Sequence, residues 1–241
     1  MVLFKHFAPL RDYLAEQIHE NIVLETARDF SVYARRTAAR RYDIVFTAPH
    51  MVMPALDSGH YELAATFIKP LSAVVAVKQD SPINNLQALA DKRIATPPLQ
   101  AIVTRVGIAM LKQLGILKHA ATHLNAYHSH NAAYTAVLAG DADAAILANF
   151  IYQRALNMHK PLRQIAESRP FPGVGILLAT DLPQHTRDSI KAAFIDMIHQ
   201  QRGRELLKTL SQPGYTSADI SLYKALQRFA DDDMIPVKPE H

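Results

Sequence analysis

The sequence contains no cysteine and no tryptophan, and only eight glycines in 241 residues. Without cysteine it can form no disulfide, no thiolate metal site and no thiol nucleophile. A chain without thiols fits an oxidising compartment but does not require one. No apolar run reaches the length that crosses a bilayer, so membrane insertion is not expected. Residues 1–10 show neither an extended apolar segment nor a small-residue cleavage site, so no export signal is legible there. Three explanations stay open: a leader left out, a misassigned start, or a protein that stays inside. Charge of one sign is also scarce. Twenty-six Lys and Arg stand against 22 Asp and Glu, a formal net charge of +4, which gives a mild pull toward anions. The basic residues are scattered apart from Arg35, Arg36, Arg40 and Arg41, which read as a solvated helix face, so nucleic acid is not an expected partner. There is no Gly-x-Ser-x-Gly, no His-Glu-x-x-His and no phosphate-binding Walker sequence. Asp231-Asp232-Asp233 reads as an exposed tail run. These absences argue against an enzyme and against a cofactor.

What remains is a chain that is 49% hydrophobic and 20% charged, an ordinary globular balance, with fourteen prolines. Its length suits one large domain or two small lobes. Helix-like and strand-like stretches alternate. Pro9–Ile18 reads as a helix with Leu10, Tyr13, Leu14 and Ile18 on one face, and Ile22–Ala27 as a short strand. Asp29 reads as the N-cap of a helix over Phe30–Arg40. Asp43–Thr47 reads as an apolar strand broken by Ala48-Pro49, and Met51–Leu56 as a short helix. Further strands are expected at residues 63–68, 72–77, 93–96, 124–128, 142–147, 165–167 and 174–179. Helices are expected at 100–114, stopped by Gly115, at 131–138, stopped by Gly140, and from Phe150. The last third reads as helical over 183–201, 204–210 and 217–230, and Tyr215 and Tyr223 there read as core or surface cover. Strands separated by helices imply parallel sheets covered on both faces. One pattern echoes another: an acidic residue (Asp43, then Asp143) opens an apolar strand whose end feeds a new helix. Either the chain holds two similar α/β lobes or α/β units resemble each other by chance. Both aspartates sit at strand starts and are assigned to structure.

The order of motifs resembles a known family. Phe7-Ala8-Pro9-Leu10-Arg11-Asp12-Tyr13-Leu14 is similar to the "F-x-P-L-x-x-Y-L" opening of phosphate/phosphite/phosphonate-binding proteins of ABC importers. Asp43-Ile44-Val45-Phe46 with Ala48-Pro49, Val74–Val77 with Asp80-Ser81 and Leu86–Ala95, Ser129–Ala133 with Ala136–Ala145, and Pro170-Phe171-Pro172 follow that family's order across nearly the whole chain. The resemblance implies an α/β type II periplasmic binding protein-like clamp of two lobes, each a mostly parallel sheet flanked by helices. Lobe one would be residues 1–80 plus 172–241, lobe two residues 81–171. The solute would lie in the cleft, and hinge closure on it would be the mechanism. It further implies a small anionic or polar solute of the phosphonate or phosphate kind, a membrane permease as partner, a periplasmic location and a monomer. A ligand-sensing input domain on the same fold is the alternative. The family has a strand before its "F-x-P-L" opening, and only six residues precede Phe7, so either the start is late or lobe one lacks that strand. Its "P-x-S-T-S-G" anion run is matched by Pro98-Leu99-Gln100-Ala101-Ile102-Val103, with all three hydroxyl residues replaced, and its tyrosine after "G-P-x-x" by Val52.

The candidate ligand-binding residues are Thr47, His50, Gln100, Ala101, Thr104, His130, Asn131 and Asn149. The helix start near Gln100 offers unpaired backbone N–H groups and a positive dipole end, to which Gln100 and Thr104 add polar contacts. Thr47 and His50 end the first apolar strand, where loops of open α/β sheets carry function. Asn149 is the counterpart of His50 in the echo. His130-Asn131 matches the family's "H-D", with one negative charge removed. His128 and His130 share one face of an extended segment but lack companions for a metal site, and no metal is expected.

Overall fold

The computed structural model describes residues 2–118, 122–210 and 212–229. Asp231–Asp233 lie outside the described residues. The chain divides into two compact units, Met1–Pro70 with Pro172–Ala230 and, for the second, Leu71–Phe171. It passes from one to the other at Pro70-Leu71 and returns at Phe171-Pro172.

The first unit begins with helix α1 (Val2–Ile18), α2 (Phe30–Ala38), strand β1 (Ile44–Thr47), a single 3-10 turn, α3 (Val52–Asp57) and β2 (Tyr61–Phe67). After the return come β8 (Gly175–Ala179), α7 (Gln184–Ile195), α8 (Gln201–Leu210), β9 (Tyr215–Thr216) and the short α9 (Ser221–Lys224). Asp29 caps α2 as its sequence predicts: the carboxylate accepts the Val32 N–H at 2.7 Å. The core gathers Leu10, Tyr13 and Leu14 from α1, Ile176 and Leu178 from β8, and Phe194, Leu207 and Leu210 from α7 and α8. Tyr215 stands edge-on to Phe194 at 4.9 Å between centroids. The Tyr223 hydroxyl bonds Thr66 Oγ1 at 2.6 Å. Both tyrosines are core residues. The basic cluster is tied down rather than merely solvated: Arg40 bridges Asp43 at 2.8 Å and Asp181 at 2.5 Å, and Arg41 meets Glu25 at 3.0 Å.

The second unit runs β3 (Ala73–Lys78), β4 (Arg93–Thr96), α4 (Ile102–Gln113), β5 (His123–Ala126), α5 (His130–Ala139), β6 (Ala144–Ala148), α6 (Asn149–Asn157) and β7 (Leu162–Glu167). The sequence reading groups residues 71–80 with lobe one, whereas β3 pairs β6 and β7 here. Its strand order is β5-β4-β6-β3-β7. Gly107 lets α4 lie against β6, since a Cβ there would stand 2.7 Å from Ile146 Cγ2. Gly140 ends α5 with a φ of 86°, a left-handed turn that glycine adopts without a steric penalty.

The expectation of mostly parallel sheets is corrected. The first sheet, β1-β8-β2-β9, is antiparallel throughout, and the second is mixed. Helix crossovers do make β1 and β2 run the same way, but β8 inserts between them in the opposite direction. In the second sheet β4, β5 and β6 are parallel, as helix-linked strands should be, while β3 runs against them and the outer β7, antiparallel to β3, runs with them again. Ile22–Ala27 is no strand either. Its exposure alternates residue by residue from Asn21 to Thr26, as a strand's would, but its backbone joins no ladder. A β-like sequence becomes a strand only where a partner's edge is available. The stretch 217–230 read as one helix reduces, within the described residues, to α9 and a 3-10 turn at Gln227–Phe229.

Candidate functional site

Parallel pairing fixes the geometry of the second unit. Thr96 stands opposite Ala126, and Ala95 opposite Ala145, so β4, β5 and β6 end at the same edge of the sheet. Each then turns into a helix: Thr96 leads to α4, Ala126 to α5, Ala148 to α6. Three helix N-termini therefore share one edge of the sheet. Each presents amide N–H groups with no intrahelical partner and the positive end of its dipole.

The three starts are capped differently. α5 has a conventional cap, the Ser129 hydroxyl accepting the Ala132 N–H at 3.1 Å. At α4 the N-cap is Ala101, and no side chain accepts from the helix. At α6 the N-cap is Ala148, again with no side-chain cap. Gln100 is exposed just ahead of Ala101. Thr104 is fully buried, its hydroxyl donating to the Pro97 carbonyl at 3.4 Å, so it serves the turn before α4.

His130 Nδ1 accepts the Ala148 N–H at 3.4 Å, joining the start of α5 to the end of β6. That bond uses Nδ1 as the acceptor and leaves the proton on Nε2. Burial, with a contribution from the Arg154 charge, lowers the pKa of His130 to about 4, so the imidazole is neutral near pH 7. Asn131 Oδ1 accepts from Arg154 Nη2 at 3.0 Å. Asn149 begins α6; its N–H donates to the Ser72 carbonyl at 3.1 Å and its Oδ1 accepts the Phe150 N–H at 3.0 Å. Asp143 lies at the opposite end of the sheet, bound to Arg93 at 3.1 Å. Asp43 is likewise bound to Arg40.

In the first unit Thr47 ends β1 and His50 sits in the 3-10 turn that follows. Both are buried. Thr47 lines a cavity of about 300 Å³ with Tyr33, Ala38, Met51 and Pro54. The Tyr33 hydroxyl donates to the Phe46 carbonyl at 3.2 Å, and burial pushes its pKa up to about 12.

The second unit thus brings Gln100, Ala101, His130, Asn131 and Asn149 to one sheet edge, and the first unit brings Thr47 and His50 to one strand end. Sequence reasoning missed Tyr33 and Arg154, which reach these positions from neighbouring helices with no motif to mark them. It missed the buried Arg105 in the first turn of α4 as well. Among the described residues no group of three His, Asp or Glu side chains is placed to hold a metal ion, and no helix is long and apolar enough to cross a membrane.

Residues 1–223 match the family described as "ABC transporter, phosphonate, periplasmic substrate-binding protein". The chain belongs to this family. Its members are binding proteins rather than enzymes, and this chain is the substrate-binding component of a phosphonate ABC transporter. Among solved structures, PhnD1 from Prochlorococcus marinus in complex with methylphosphonate superposes with a TM-score of 0.80 at 17% identity, over 95% of this chain and 92% of that one. A binding protein component of an ABC phosphonate transporter from Pseudomonas aeruginosa gives 0.73 at 15%, over 94% and 80%. A Xanthomonas citri protein bound to ATP gives 0.74 at 15%, over 94% and 91%. These likenesses establish the two-sheet α/β binding-protein fold. No curated protein matches the sequence of this chain.

Proposed function

We propose that the chain captures a small phosphonate-like oxyanion at the edge of the second unit's sheet, where β4, β5 and β6 give way to helices, and delivers it to a membrane permease. The observation that carries this reading is the pair of helix starts whose N-cap residues, Ala101 of α4 and Ala148 of α6, supply no side-chain acceptor. Orphan N–H groups and the helix dipole make such starts anion sites. The Nε2–H of His130 and the amides of Gln100, Asn131 and Asn149 supply further polar contacts. Thr47 and His50, at the first unit's own strand end, are kept as proposed ligand-binding residues, and the protein is proposed to work as a periplasmic monomer.

The solute bound by the Prochlorococcus marinus protein, methylphosphonate, supports the choice of ligand class. The three replaced hydroxyl positions favour modest affinity, since each lost hydrogen bond is worth about 1 kcal/mol. The test is thermal stabilisation of the full chain by phosphate, phosphite, methylphosphonate, methanesulfonate and a zwitterion such as glycine betaine. A rise in Tm that grows with concentration for at least one anion is expected. No rise with any of them would overturn the reading.

A further inference from the structure

The polar groups at the helix starts of the second unit share one feature: the side-chain acceptors of His130, Asn131 and Asn149 each already hold a donor. His130 Nδ1 takes the Ala148 N–H. Asn131 Oδ1 takes the Arg154 guanidinium, and Asn149 Oδ1 takes the Phe150 N–H. Four backbone carbonyls at this edge are engaged as well. Thr96 O accepts from Tyr127, Pro98 O from Ala101 and Ser72 O from Asn149. Pro97 O accepts the hydroxyls of Thr96 and Thr104. Gln100 keeps an amide oxygen, but it is exposed and the amide can turn its NH₂ inward.

Carboxylates are distributed to the same effect. The unit has five between Leu71 and Phe171. Asp80, Asp91, Asp141 and Asp143 all stand at the far end of the sheet, where β4 and β6 begin and β3 ends. Glu167 ends the outer strand β7 at the same edge as the helix starts, and each of its two oxygens already holds a donor, Ser72 Oγ and Gln164 Nε2. The remaining charged or titratable groups near the three helix starts are Arg105, His128, His130, Tyr152 and Arg154. The Tyr152 hydroxyl accepts the Gln164 N–H at 3.0 Å.

From this geometry we infer that the site selects oxyanions that carry no proton, the sulfonate class and fully ionised phosphonates, over a singly protonated phosphonate. The inference rests on the anion site proposed above. A protonated phosphonate brings a P–OH donor to an edge whose side-chain acceptors, Gln100 apart, each already hold a donor, so its proton must share an occupied acceptor, and a donor left without one carries the desolvation cost of that group. A sulfonate of the same charge and nearly the same shape brings none.

Calorimetric titration of the full chain with methanesulfonate and with methylphosphonate tests this, at one pH below and one above the second ionisation of methylphosphonate. Below it both ligands carry one negative charge, and methanesulfonate is expected to bind roughly tenfold tighter or more, the factor that corresponds to one unsatisfied donor. Above it the preference should shrink or reverse. Methanesulfonate does not titrate in this range, so its own pH dependence reports any change in the protein, and the ratio of the two ligands isolates the phosphonate proton. Equal or tighter binding of the protonated phosphonate would overturn the inference while leaving the anion site standing. Failure of both ligands to bind at either pH would overturn the site and the inference together. Asn131→Asp adds an acceptor and a negative charge beside Arg154. It should weaken methanesulfonate by tenfold or more and weaken protonated methylphosphonate less; an unchanged ratio would count against the inference.

Discussion

Ala101→Asp separates stability from binding in opposite directions. Ala101 is the N-cap of α4, with φ −66° and ψ 131°, and its side chain makes no capping bond. An aspartate in that extended conformation can accept the N–H of Val103 or Thr104, as Asp29 accepts that of Val32 in α2. Replacing alanine by aspartate at an N-cap is worth about 1 kcal/mol. For a chain of this size that raises Tm by about 3 °C. The same carboxylate fills the proposed anion site. One unit charge about 4 Å from a bound anion costs about 4 kcal/mol at an effective dielectric near 20, roughly a thousandfold in Kd. Ala101→Asn supplies the cap without the charge and should keep the gain in Tm with a far smaller loss of affinity. Differential scanning calorimetry measures the first effect and isothermal titration with methanesulfonate or methylphosphonate the second. Unchanged affinity in the aspartate variant would refute the assignment of the site to α4. Loss of affinity together with a lower Tm would show that the substitution had damaged the fold instead.

Other consequences are equally direct. The depressed pKa of His130 means that the unfolded chain takes up a proton there before the folded one does, so stability is fully present above about pH 6.5 and falls as pH drops toward about 4. The loss attributable to this group is about 3 kcal/mol, and His130→Asn, which keeps an acceptor for Ala148, should flatten the urea midpoint across that window. Gly107→Ala drives a methyl into Ile146 and should cost about 1–3 kcal/mol in chemical denaturation. Asp143→Asn removes a partner of the partly exposed Arg93 at the sheet end remote from the site; titration should find solute affinity unchanged, with a stability cost of at most about 1 kcal/mol. Tyr223→Phe strands the buried Thr66 hydroxyl and should lower stability by about 1–3 kcal/mol.

Local features were legible in the sequence because they depend on local chemistry. The Asp29 cap, the left-handed Gly140 and the β4 strand at Arg93–Thr96 follow from propensity and spacing alone. Ordered motifs across the chain pointed to the family that residues 1–223 match. Sheet adjacency was not legible. Nothing near residue 175 in the sequence announces that β8 will enter between β1 and β2, because that pairing joins segments more than a hundred residues apart. Ile22–Ala27 carries strand-like residues but joins no ladder, which only the assembled sheet reveals. At the site, Gln100 and Ala101 were legible as a helix start, but the sequence could not show that the Thr104 hydroxyl turns inward to Pro97. It could not anticipate that Arg154, one helix later in the chain, would occupy the Asn131 oxygen. Side-chain acceptor use is a tertiary property with no sequence signature.

The central claim, that an oxyanion is held by the helix starts of the second unit, is tested most directly by following backbone amides in ¹H–¹⁵N spectra during titration with methanesulfonate. The amides of Val103 and Thr104 in α4, and of Ile151 and Tyr152 in α6, should shift most and saturate together. Shifts confined to the opposite end of the sheet, around Gly140–Asp143, or no saturable shift at the helix starts, would contradict it.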